Sequence, residues 1–76
     1  MAKSIYSKRY RQFLDLLIQA RKEADLTQVE VASRLDRPQS FVSKYENGER
    51  RLDVVEFLDV AKAIDFDAVK LMRKLT

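Results

Sequence analysis

Apolar residues recur every three or four positions along most of the chain, the period of helices that bury one stripe. No run of β-branched residues alternates in the two-residue period of a half-buried strand. The first stretch sets Tyr10, Phe13, Leu14, Leu17, Ala20, Arg21 and Ala24 on one face and predicts a helix over about 7–24. "ADLTQVEVASRLD" predicts a second over 28–35, with Thr27 and Glu30 as a capping box and Val31, Ala32 and Leu35 turned inward. A third, over 39–47, starts beside Pro38, whose fixed φ suits a first turn. It stops at Asn47-Gly48, where glycine takes the left-handed capping conformation. Asp53 and Glu56 form a second, weaker box for a helix over 53–64 carrying Val54, Phe57, Leu58, Ala61 and Ile64. Asp67 caps a short fifth helix over 68–75, with Leu71, Met72 and Leu75 apolar. The pattern predicts an all-α fold, a compact five-helix bundle forming one domain over 1–76.

Composition removes several functions. A chain of 76 residues buries only about 60% of the surface it exposes when unfolded, which leaves little room for a deep pocket. Cysteine and histidine are both absent, so thiolate chemistry, the commonest metal ligand and the commonest general base are missing together. A single glycine cannot build a glycine-rich phosphate loop. The expectation is a protein that is not an enzyme and uses no cofactor or metal. No apolar run approaches a membrane span, and the basic start "MAKSIYSKRYR" leads into an amphipathic segment, unlike a signal peptide. The cytoplasm is the expected compartment.

Net charge is +3, and its layout is uneven. Lys3, Lys8, Arg9, Arg11, Arg21 and Lys22 load the first third, while Asp53, Glu56, Asp59, Asp65 and Asp67 load the last. A basic front with an acidic back suits a polyanion bound on one side. The joint between the second and third helices, across Asp36-Arg37, is short enough to force a steep crossing, the helix-turn-helix geometry. On a helical wheel Val42 and Tyr45 share the packed side of the third helix. Ser40, Ser43, Lys44 and Asn47 lie opposite, Gln39 stands at the exposed start, and Phe41 lies at the other edge, against the core or against a sugar or thymine methyl. Glutamine bonds an adenine edge in two places, serine suits either partner, and lysine reaches guanine or phosphate. This row reads as a DNA major-groove reader. Arg37, Arg50 and Arg51 flank it as candidate phosphate contacts. Tyr6, Tyr10 and Phe13 are expected in the core or an interface.

From about Leu17 to Met72, "RKEADLTQVEVASRL", "PQSFVSKYENGERR" and "FLDVAKAIDFD" in that order resemble the phage-repressor-like helix-turn-helix family, also called XRE or Cro-type. The resemblance implies the lambda-repressor-like five-helix fold, with the third helix in the major groove. It implies Gln39, Ser40, Ser43 and Lys44 as base-reading residues, and Gln28 and Asn47 as backbone contacts. It also implies a paired arginine and glutamate, here Arg21 and Glu46, and this accounts for an arginine on the apolar face of the first helix. The family usually has glycine in the turn after the second helix. Here Asp36 takes that place, one of the few residue types that tolerate a left-handed backbone.

The function expected is sequence-specific binding of double-stranded DNA by a transcription regulator. The chain ends about one helix past the DNA-binding unit, so no small-molecule effector is evident. Minimal proteins of the family include phage repressors, restriction–modification controllers and antitoxins. A single module buries only about 600–1,000 Å² on DNA, so a two-fold homodimer is expected. Its surface would be Val69, Leu71, Met72 and Leu75 of the fifth helix, with the end of the fourth helix or the N-terminal segment as alternatives. The alternative function is a protein-interaction module such as an antitoxin or assembly partner. Serine, serine and lysine at positions 40, 43 and 44 speak against it, since a docking helix would carry large apolar residues there. RNA binding is disfavoured by the lack of an aromatic platform for unstacked bases.

Overall fold

The computed structural model describes residues 7–76; Tyr6 and Lys3 lie outside them. Five helices follow in order: α1 Lys8–Glu23, α2 Gln28–Leu35, α3 Gln39–Glu46, α4 Val54–Ile64 and α5 Ala68–Arg73. Four of them start on a side-chain cap. Ser7 accepts from the Tyr10 N–H, Thr27 from Glu30, Asp53 from Glu56 and Asp67 from Lys70. Thr27–Glu30 and Asp53–Glu56 are complete capping boxes, each glutamate returning a bond to the backbone of its cap residue.

With one glycine available, the helix ends are closed mainly by aspartates. Asp25, Asp36 and Asp65 adopt positive φ (59°, 57° and 73°), and Gly48 does the same at 79°. After each, an N–H reaches back to the carbonyl five residues earlier: Leu26 to Arg21, Arg37 to Ala32, Glu49 to Lys44 and Phe66 to Ala61. This is the Schellman closure, which satisfies carbonyls that a helix end leaves open. Asp36, standing where the family has glycine, therefore makes the glycine turn. Its short polar side chain lowers the steric penalty of the left-handed region.

The core is assembled by α2 packing on α3 and α4, with α1 against α3 and α5 against α4. Leu14 and Leu17 of α1, Val31 and Ala32 of α2, and Phe41, Val42 and Tyr45 of α3 are all buried. Phe57, Val60, Ala61 and Ile64 of α4 and Leu71 of α5 complete it. Tyr10, Phe13, Leu16, Ala20 and Leu35 pack at its margin. Two expectations for α4 are corrected. Val54 and Leu58 are 72% and 48% exposed, and Val60 is buried in their place. Val54 and Val55 lie in the first turn, beside the capping box and outside the core. Leu71 is corrected as well: at 7% exposure it anchors α5 to the core and has almost no surface to offer a partner.

Candidate nucleic-acid interface

α3 is the one helix of the five without a side-chain cap, because its N-cap position is held by Pro38. Proline fixes a suitable φ but offers no acceptor, so the first N–H groups of α3 face outward with the positive end of the helix dipole. Gln39 and Ser40 stand there, both exposed; Lys44 and Asn47 are exposed further along, and Ser43 is half-buried between them. The opposite side of the same eight residues holds Phe41, Val42, Tyr45 and Glu46, all buried. α3 thus has a dry face that fixes it and a row of small or flexible polar groups that remain available. Phe41 falls on the core side.

Behind the row lies a partly buried polar relay. Arg21 donates from Nε to Glu46 Oε2 at 2.7 Å and from Nη2 to Oε1 at 3.1 Å, and from Nη1 to the Leu26 carbonyl at 3.0 Å. The bond to Glu46 raises the Arg21 guanidinium above its ordinary value despite the opposing effect of burial. Gln28 Nε2 donates to Glu46 Oε1 at 2.9 Å, and Gln39 Nε2 approaches Gln28 Oε1 at 3.4 Å. A chain of polar contacts therefore joins α1, α2 and the outer start of α3. Gln28, expected as a phosphate contact, is half-buried and takes part in this relay through both ends of its amide. It holds Gln39 by the amide nitrogen and leaves the Gln39 oxygen uncommitted.

A second cluster lies at the other flank. Arg50 donates to both oxygens of Glu56, at 3.0 and 2.7 Å, and Arg37 Nη2 lies 3.6 Å from Glu56 Oε2. The Asp53 N–H of the capping box donates to Glu56 Oε1 at 3.0 Å. Chiefly through Arg50, and then through Asp53, the Glu56 carboxyl is held down at about 2. The two guanidinium carbons lie 4.3 and 4.8 Å from the centroid of the Phe41 ring, within cation–π range. Arg51 stacks in the same way on Tyr10, at 4.2 Å. Arg37, Arg50 and Arg51, read from the sequence as candidate phosphate contacts, are each held against an aromatic ring. Glu56, counted from the sequence on an acidic back, turns toward this basic flank. The capping-box spacing gave Glu56 a role but not its second set of partners.

Such a site offers directional hydrogen-bond groups on a fixed helix, flanked by cations. Among the described residues no group of acidic side chains is arranged to hold a metal ion, and no helix is long and apolar enough to cross a membrane. With α2 and α3 joined by the tight Asp36-Arg37 turn and packed on each other, the two helices form a helix-turn-helix.

Residues 17–71 match the helix-turn-helix family model. The fold is similar to that of an XRE-family like protein from Pseudomonas syringae pv. tomato str. DC3000, with a TM-score of 0.89 and 55% identity over 97% of this chain and 90% of that one. It is also similar to a point mutant of the restriction-modification controller protein C.Esp1396I. There the TM-score is 0.82 and identity 19%, over 91% of this chain and 92% of that one. No curated protein matches. The chain belongs to the XRE-type helix-turn-helix family.

Proposed function

We propose that the protein is a sequence-specific regulator of transcription that lays α3 in the major groove of double-stranded DNA. The observation that carries this reading is the combination on α3 of an uncapped N-terminus with the outward polar row Gln39, Ser40, Ser43 and Lys44. Gln39 and Ser40 enter the groove first and read base edges, with Lys44 and Ser43 reading further along. Asn47 and Arg51 meet the sugar-phosphate wall, and Arg37 and Arg50 contribute charge from the Glu56 cluster. Gln28 orients Gln39 from behind. Such a protein works in the compartment that holds the DNA.

It acts as a two-fold homodimer. Of the six exposed large apolar side chains among the described residues, five lie on α4 and α5: Val54, Val55, Leu58, Val69 and Met72. Half-buried Leu75 lies beside the α5 set in sequence and packs on the core. Two copies joined through this region would present two α3 helices to half-sites one helical turn apart, about 34–36 Å, or a multiple of it.

Selection of bound fragments from a random duplex pool tests the reading. A recovered palindromic motif is expected. Recovery of no motif, with salt-insensitive or absent binding, would leave the protein-interaction role as the better account.

A further inference from the structure

Glu56 does more than a capping box requires. One acceptor oxygen suffices for the Asp53 N–H, yet the carboxylate also takes both terminal nitrogens of Arg50 and draws Arg37 to 3.6 Å. The two arginine side chains remain 38% and 43% exposed, and the Phe41 ring steadies both guanidiniums beside α3. Two cations that flank α3 in sequence therefore share one anion. Arg37 is the looser partner, since its distance is longer than the 2.7–2.9 Å of a charge-assisted hydrogen bond.

We propose that Glu56 is an internal competitor of DNA phosphate, holding Arg37, and more firmly Arg50, away from the backbone and so limiting binding to sequence-unrelated DNA. This rests on the DNA-binding reading above. Non-specific binding consists almost wholly of phosphate contacts and counterion release, whereas specific binding adds contacts to base edges. A carboxylate placed on the flanking arginines, and away from Gln39 and Ser40, acts on the first without touching the second. The aromatic stacking keeps the arginines in place while their charge is offset, so they remain ready for a phosphate that approaches closely.

The test compares the parent with Glu56→Gln, whose amide oxygen still accepts from the Asp53 N–H. Binding to a random-sequence duplex is measured at several salt concentrations, with thermal melts to confirm folding. Glu49→Gln is the control: it removes the same charge from an exposed neighbour. Glu56→Gln is expected to bind the random duplex several-fold more tightly at low salt. Its slope of log affinity against log salt should steepen by about 0.9 for each further phosphate that a released arginine neutralises. Glu49→Gln should change both much less. Equal effects in the two variants would overturn the proposal, because net charge would then be the whole cause, and so would an unchanged slope in folded Glu56→Gln. Should Glu56→Gln melt below the assay temperature, Arg37→Gln in the parent decides. A fall in slope of clearly less than about 0.9 supports restraint by Glu56, and a fall of that full amount overturns it. A parent that binds no duplex at low salt overturns the DNA reading and the proposal together.

Discussion

The Arg21 guanidinium lies side-on against the Glu46 carboxylate, with nitrogen–oxygen distances of 2.7 and 3.1 Å. Their side chains are only 12% and 4% exposed, so water does little to screen the pair. Through Glu46 and Gln28 the same pair reaches Gln39, which ties the anchoring of α3 to the orientation of its first outward side chain.

Removing one partner strands the other charge. Arg21→Met and Glu46→Leu are each expected to cost about 3–5 kcal/mol of stability. The double variant should lose clearly less than the sum. Denaturant unfolding of the three proteins measures the coupling, and additive losses would show that the two residues act independently.

The depressed Glu56 carboxyl sets a pH dependence. Its folded value, about 2, lies below the ordinary 4.5, so the fold favours the ionised form. The stabilisation is fully present above about 4.5 and is lost as pH falls toward 2. Glu30, lowered by its own capping bonds, acts with the same sign. Melting temperature against pH should therefore fall through this window, and the fall should be shallower in Glu56→Gln. Parallel curves for the two proteins would contradict the assignment.

Much of the fold was legible because local signals agreed. The helical period, the two capping boxes, Asp67 and Gly48 each mark one helix or boundary within a few residues. Two of the aspartate closures, at Asp25 and Asp65, left no such mark, since aspartate in sequence reads as surface charge. The outward row of α3 followed from the wheel, and the Arg21–Glu46 pair from the family resemblance. What stayed hidden was the fate of long side chains. Arg50 meets Glu56 across the loop before α4, and Arg37 meets it from the turn before α3, at separations without periodicity. The orientation of α4 was misjudged at Val54 for a related reason: an apolar residue in a capped first turn counts toward the stripe but need not be buried.

Tyr45 is fully buried, and its hydroxyl has no hydrogen-bond partner among the described residues. Burial pushes the phenol well above its ordinary 10, so the fold favours the neutral form and loses stability as pH rises past that value. An unsatisfied buried hydroxyl costs about 1–3 kcal/mol. Tyr45→Phe is therefore expected to be at least as stable as the parent at neutral pH and to resist alkaline unfolding longer. A loss of more than about 1 kcal/mol on chemical denaturation would mean that the hydroxyl is satisfied in solution.

The apolar side chains of α5 divide into two roles. Val69→Ser and Met72→Ser change exposed residues, and should weaken self-association with little effect on melting. Leu71→Ala removes a core side chain and should cost about 2–5 kcal/mol. Sedimentation of the parent at high micromolar concentration should show a dimer. A monomer there, together with binding to isolated half-sites, would contradict the proposed assembly.

The most direct test of α3 as the reader of DNA sequence is the base preference of Gln39→Ala. Its affinity is measured on the selected duplex and on every single-base variant of it, at several salt concentrations, beside the parent and Arg51→Ala. Gln39→Ala should weaken the selected site by about 1–3 kcal/mol and lose discrimination at one base pair of each half-site. Binding to unrelated duplex should hardly change. Arg51→Ala should instead weaken all sequences alike and reduce the salt slope by about 1. A Gln39→Ala variant that keeps the full base preference of the parent, while Arg51→Ala alters it, would contradict the placement of α3 in the groove.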